Sequence, residues 1–168
     1  MATLFTKGLS EVDRSAVVTK VHLACSPVDI SNPDSILHWA VSLELTETSS
    51  VIMDMIPAGI DGRTGVLVVS SSQERILEHS VEPFTISTAN TATVNDLLSV
   101  IIDKKRHQYK YDDSGSGCRY WCTVVVDDWE QQGLVTPGAH NELENHISQL
   151  SGKNPARVPM PVRKGTFY

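Results

Sequence analysis

Cys118 opens an apolar-periodic segment directly after a glycine- and serine-rich loop, Asp112-Asp113-Ser114-Gly115-Ser116-Gly117. The spacing predicts that it stands in the first turn of a helix. A helix N-terminus carries roughly half a positive charge and unpaired N–H groups, and both favour a thiolate. His38 opens a strand-like alternation, and Asp54 is the charged residue in the apolar run Val51-Ile52-Met53-Asp54-Met55-Ile56. A cysteine served by a histidine base, with a third polar group to orient the imidazole, is the general constellation of a sulfur nucleophile. On this reading Cys118 is the nucleophile, His38 its base and Asp54 the orienting acid. Each residue also has a structural reading: a cysteine in a core, a histidine at a strand end, and an aspartate on the polar face of an amphipathic strand.

Around this trio stand residues able to hold a substrate. Arg119 and Tyr120 follow the cysteine directly, and Arg119 falls off the apolar helical face, where a guanidinium can bind an acidic group. Lys104-Lys105-Arg106-His107, with Tyr109 just beyond, forms a basic and aromatic cluster. Arg106, His107 and Tyr109 are therefore candidate ligand contacts. The alternative for this cluster is a solvated helix end whose cations suit the helix dipole. Cys118 and Cys122 present thiols one helical turn apart, but no second ligand pair accompanies them, so neither a metal nor a cofactor is expected.

The elements that must position these groups are legible as two blocks. Strand-like alternation runs through residues 16–25, 37–45, 51–56, 65–70 and 81–87. In the second run Leu37, Trp39, Val41, Leu43 and Leu45 point one way, and His38, Ala40, Ser42 and Glu44 the other. The small residues beside His38 would let a helix approach closely: the nucleophile reading needs the Cys118 helix to pack on this face, and packing on the Trp39 face would count against it. The period then changes. Thr93 and Asp96 mark a helix start, and Val94, Leu97, Leu98, Ile101 and Ile102 make its apolar face. A second helix runs from Cys118 to Gln132, with Gly133 as its stop signal, and a weaker third spans 140–150. Strands followed by helices predict an α+β fold, with an antiparallel sheet of about five strands covered on one face by two or three helices. Residues 1–152 read as one domain. Residues 153–168, with Pro155, Pro159 and Pro161, read as an extended basic tail that wraps the domain or serves as the arm of a homodimer.

Bulk composition bounds the function. The chain has 168 residues, 20 acidic against 14 basic, and a formal net charge of −6. That balance argues against general nucleic-acid binding, which needs a basic surface. No apolar run reaches the ~20 residues of a membrane span. The start, Met-Ala-Thr-Leu-Phe-Thr-Lys-Gly, lacks the apolar stretch of a signal peptide. Together with an odd cysteine count this predicts reduced thiols and a cytoplasmic location.

His38-Trp39-Ala40-Val41 followed by Val51-Ile52-Met53-Asp54 resembles the first strand pair of the permuted papain-like proteins. These include the NlpC-type peptidases and the lecithin:retinol acyltransferase and small phospholipase/acyltransferase families. The order histidine, polar residue, later helix-start cysteine is matched by His38, Asp54 and Cys118. The acyltransferases carry Asn-Cys-Glu-His-Phe where this chain has Gly117-Cys118-Arg119-Tyr120-Trp121. A counterpart of their C-terminal membrane anchor is not visible, so a membrane lipid is not the expected substrate. The stretch from His38 to Gly133 is also similar to a fungal domain family of uncharacterised function. Its marks are His38-Trp39, Arg106-His107-Gln108-Tyr109 and Gly117-Cys118-Arg119-Tyr120-Trp121. That resemblance implies a fungal source and a small-molecule substrate of specialised metabolism.

The resulting expectation is a thiol-dependent hydrolase or acyltransferase acting on a small ester, amide or thioester. Two alternatives stay open. One is an acid/base cyclase or isomerase that uses His38 and Asp54 without a covalent step. The other is a non-catalytic binding module with Cys118 in its core.

Overall fold

The alternation that begins at Leu37 becomes the central strand of a sheet. A computed structural model describes residues 1–89 and 91–168. In chain order its elements are β1 (Leu4–Gly8), α1 (Glu11–Arg14), β2 (Lys20–Pro27), β3 (Leu37–Thr46), β4 (Ser49–Ala58), β5 (Thr64–Ser72) and β6 (Phe84–Ser87). There follow α2 (Val94–Asp103), β7 (Tyr109–Lys110), α3 (Cys118–Gln131), α4 (Ala139–Lys153) and β8 (Thr166–Phe167). The fold is α+β. The strands lie in the order β6-β2-β3-β4-β5-β7-β8, every neighbouring pair antiparallel, and β1 pairs parallel with β5.

The sequence reading of about five strands falls short of the eight that form among the described residues. β7 and β8 have two residues each, too few to show a period. They exist because β8 returns from the far end of the chain, where Tyr109 pairs with Phe167 and Lys110 with Thr166. The proline-containing tail thus packs on its own domain, with the Leu37 N–H donating to the Arg157 carbonyl at 3.2 Å.

The helix signals hold at the residue level. The Thr93 hydroxyl accepts from the Asp96 N–H at 3.1 Å, and the Asp96 carboxylate accepts from the Thr93 N–H at 2.8 Å. That reciprocal capping box fixes the start of α2. Gly133 follows α3 with φ +70°, the left-handed conformation that ends helices at glycine.

The helices cover one face of the sheet, and it is the Trp39 face. Val21, Leu23, Trp39, Val41, Leu43, Met53 and Met55 join Leu97, Ile101, Trp121, Cys122, Val125 and Trp129 in one buried core. Each large side chain fully buried here contributes roughly 1.5–3 kcal/mol. Of the two faces open to the Cys118 helix, the Trp39 face is the one that the sequence reading counted against the nucleophile, so any approach of Cys118 to His38 must come at the end of the helix and not across the small-residue face of β3. Ala24, Ala40 and Ile52 are buried outside that core. The chain between β5 and β6 lies over them: the Leu77 N–H donates to the Ser42 hydroxyl at 3.1 Å, and the Ser50 hydroxyl donates to the Glu74 carbonyl at 2.6 Å. Small residues are needed there because a backbone, with polar groups to satisfy, approaches the sheet. His22, 1% exposed, is held in the same layer between Thr85 and Glu44, at 2.9 and 2.5 Å.

The feature that positions the site is a fork in the sheet. Pairing between β3 and β4 runs from the hairpin to Val41 and Met53 and stops. Beyond that point β3 stays with β2 as far as Leu37, while β4 stays with β5 as far as Ala58. The fork frees backbone groups that need new partners. Tyr111, 2% exposed, donates its hydroxyl to the Met55 carbonyl at that place.

Candidate functional site

Cys118 is the first residue of α3, as its spacing predicts. It is delivered there by a tightly organised loop. One Asp112 carboxylate oxygen accepts from the Ser114 N–H, the Ser114 hydroxyl and the Ser116 N–H at 2.9, 2.7 and 2.9 Å. The other accepts from Arg163 Nε at 2.5 Å. Burial opposes ionisation of Asp112, but these donors outweigh it and hold its pKa down at about 2.

Gly117 turns the chain into the helix with φ +148°, outside the range open to other residues. A Cβ at this position would lie 2.6 Å from the Tyr109 hydroxyl oxygen. That contact is used: the Tyr109 hydroxyl donates to the Gly117 carbonyl at 2.9 Å and accepts from the Gly165 N–H at 2.8 Å. One buried tyrosine therefore ties the cysteine loop to the tail. Burial pushes its own hydroxyl well above the ordinary tyrosine range.

No side chain caps α3. The first-turn N–H groups of a helix have no partner within it, so this end offers unpaired donors and the positive end of the dipole beside the Cys118 sulfur.

His38 and Asp54 stand at the fork. Extending the β3–β4 register places Asp54 opposite Ala40, one diagonal step from His38 on the same face. The step is bridged by a hydrogen bond of 2.6 Å between His38 Nε2 and Asp54 Oδ1, with the two side chains 25% and 28% exposed. Cys118 lines the same cleft as His38. Burial disfavours the imidazolium, but Asp54 and Cys118 together outweigh it and raise the His38 pKa to about 10. α3 thus packs on the Trp39 face and still presents its first residue to His38. The fork removes the sheet wall that would otherwise separate them.

The cleft over this site has a volume of about 290 Å³ and is lined by His38, Cys118, Tyr111, Pro57 and Arg119 among others. Arg119 is 8% exposed and donates to the Pro159 carbonyl at 2.5 Å, so the tail forms one wall. Burial lifts Cys25 to about 11, and Cys122, deeper still, goes further in the same direction.

The remaining candidate residues fall elsewhere. Tyr120 lines a second cavity of about 330 Å³, between α3, α4 and the tail. Arg106 and Lys104 both grip Asp128 of α3, at 2.6 and 2.8 Å, so this cluster joins helix to helix. His107 is half-buried beside them, and Tyr109 is the tie described above. Sequence reasoning missed Arg157, which lines the cleft together with Tyr111 of the basic, aromatic cluster. Arg157 sits in the tail, where no periodic signal links it to the cysteine.

Residues 21–168 match the family described as Domain of unknown function (DUF7770). The chain belongs to that family. The DUF7770 region takes in His38, Asp54, Cys118 and the tail, so the whole fork and cleft lie inside it. No curated protein and no solved structure matches the chain. Among the described residues of this DUF7770 member, no three His, Cys, Asp or Glu side chains gather as a metal site. No described helix is long and apolar enough to cross a membrane.

Proposed function

We propose that this protein is a thiol-dependent hydrolase or acyltransferase acting on a small ester, amide or thioester. The observation that carries the reading is the grouping at the fork: Asp54 bonded to His38, and His38 sharing one cleft with a Cys118 placed at a helix N-terminus. The chain order of these three, on a sheet and a following helix, is that of the permuted papain-like proteins, and the reading assigns the fold to that topology.

In this mechanism the Cys118 thiolate attacks the acyl carbon while His38 stands as imidazolium. The carbonyl oxygen takes up the electron pair and faces unpaired N–H groups of the first turn of α3. Collapse of the intermediate breaks the bond to the leaving group, which receives the His38 proton. The neutral imidazole then takes a proton from water or an acceptor alcohol or amine, whose heteroatom attacks the thioester. The second collapse expels Cys118 as thiolate, and His38 is again imidazolium, so atoms and protons balance. Asp54 holds the ring and stabilises its charged form throughout. The volume of the cleft limits the substrate to a small molecule.

Turnover of short p-nitrophenyl esters and thioesters tests the proposal. Cys118→Ala abolishes turnover, and His38→Ala lowers it by at least ~10²-fold. Full activity in Cys118→Ala with loss in His38→Ala would replace the covalent mechanism by acid/base chemistry on the same cleft.

A further inference from the structure

We infer that the substrate of this cleft carries an anionic oxygen group, a carboxylate or a phosphate, which Arg157 and Arg119 receive. The inference rests on the thiol-enzyme reading for the reacting end of the substrate, and on separate observations for the anionic end.

The chain carries a net charge of −6, yet among the described residues that line the cleft none is acidic, while Arg119, Arg157 and Arg163 all are lining residues. Arg163 is answered by Asp112 at 2.5 Å. The other two are not answered by a carboxylate. Arg119 is nearly buried and bonds only the Pro159 carbonyl and, at 3.9 Å, the Met160 sulfur. Arg157 is half-buried and gives one hydrogen bond, at 3.4 Å, to the Ser35 carbonyl. A guanidinium has five donors, so both retain several that are free.

Burying a charge without a counter-ion is costly, and desolvation accordingly works against the Arg119 cation. Two such groups at one cleft amount to a counter-ion site lacking its anion. Planar guanidinium forks suit carboxylate and phosphate oxygens. The lining also includes the apolar side chains of Val28, Ile36 and Pro57. This lining suits a short acyl compound with an apolar body and one anionic end.

The test compares alkylation of Cys118 by iodoacetate and by iodoacetamide, which differ by one carboxylate. In an unstructured thiol peptide the two rates set the reference ratio. The expected result is a ratio favouring iodoacetate by about ten-fold over that reference, as an uncompensated cation nearby implies. Arg157→Gln brings the ratio back toward the reference, and Arg157→Lys keeps most of it. Arg157 is half-buried, so these variants bear less on folding than changes at Arg119.

Prompt reaction with iodoacetamide but no preference for iodoacetate overturns the anion site and leaves the nucleophile reading intact. Should neither reagent reach Cys118, the nucleophile reading fails, and calorimetry of Cys118→Ser with glutarate and with inorganic phosphate decides the anion site alone. Binding of either that Arg157→Gln abolishes supports it and names the anion. Binding of neither overturns it.

Discussion

Nε2 of His38 lies 2.6 Å from Oδ1 of Asp54 across the point where β3 and β4 part. Had the ladder continued, a backbone pair would fill this place. Because it stops, two side chains from adjacent strands meet there, and His38 shares a cleft with the first residue of α3.

Asp54→Asn tests what this bond does. In the native protein the folded His38 pKa, about 10, lies above the ordinary imidazole value. A raised folded pKa means that the stabilisation is complete below the unfolded value of about 6.5 and is lost as pH rises through the folded one. Unfolding free energy is therefore expected to fall between neutral pH and about pH 10.5, by about 1–2 kcal/mol after solvent screening. In Asp54→Asn the NMR titration of His38 moves down toward the free value and this loss shrinks. An unchanged titration would show that Asp54 does not set the charge of the ring.

Thiol selectivity is the second expectation. At about pH 6, iodoacetamide modifies Cys118 ahead of Cys25 and Cys122, because Cys118 opens on the cleft while burial shields the other two and raises their pKa values. Peptide mapping of the labelled protein reads this directly. Equal labelling of the three thiols, or labelling only after unfolding, would place Cys118 with the core cysteines.

The Tyr109 tie gives a third. Tyr109→Phe removes the hydroxyl that serves both Gly117 and Gly165, leaving the partly buried Gly165 N–H without its acceptor and the Gly117 carbonyl with only its bond from the Trp121 N–H. The cost is about 1–3 kcal/mol in urea unfolding, with slower alkylation of Cys118. Gly117→Ala is expected to be worse, since its Cβ meets the Tyr109 oxygen and its backbone conformation resists a side chain. A Gly117→Ala protein of native stability would mean that this turn is not a fixed part of the site.

Asp128 supplies a fourth, away from the cleft. It is 3% exposed and answers both Lys104 and Arg106. Those partners and burial pull its pKa in opposite directions, and the partners prevail, keeping it below the usual carboxylate range. Asp128→Ala strands two partly buried cations between α2 and α3 and costs about 2–4 kcal/mol in thermal or urea unfolding. Asp128→Asn, which keeps the shape and some hydrogen bonding, costs less.

The amino-acid sequence by itself determined the local elements. Alternation through Leu37–Leu45 specifies a strand with a Trp39 face and a His38 face, because side chains project on opposite sides with a period of two. Thr93 and Asp96 specify the start of α2 through bonds three residues apart, and the loop ending at Gly117 specifies that Cys118 begins a helix. It did not determine which sheet face α3 covers, or that the chain between β5 and β6 covers the other. Those depend on which apolar surfaces fit together, and the burial pattern of one strand is the same whether a helix or a loop lies on it. Nor did it contain β7, β8 or the approach of Arg157 to Cys118, since contacts between residues far apart in the chain leave no local period. The fork that lets His38 meet Cys118 belongs to the same class: two strands with regular patterns stop pairing only because a third partner, Tyr111, satisfies the backbone that the separation exposes.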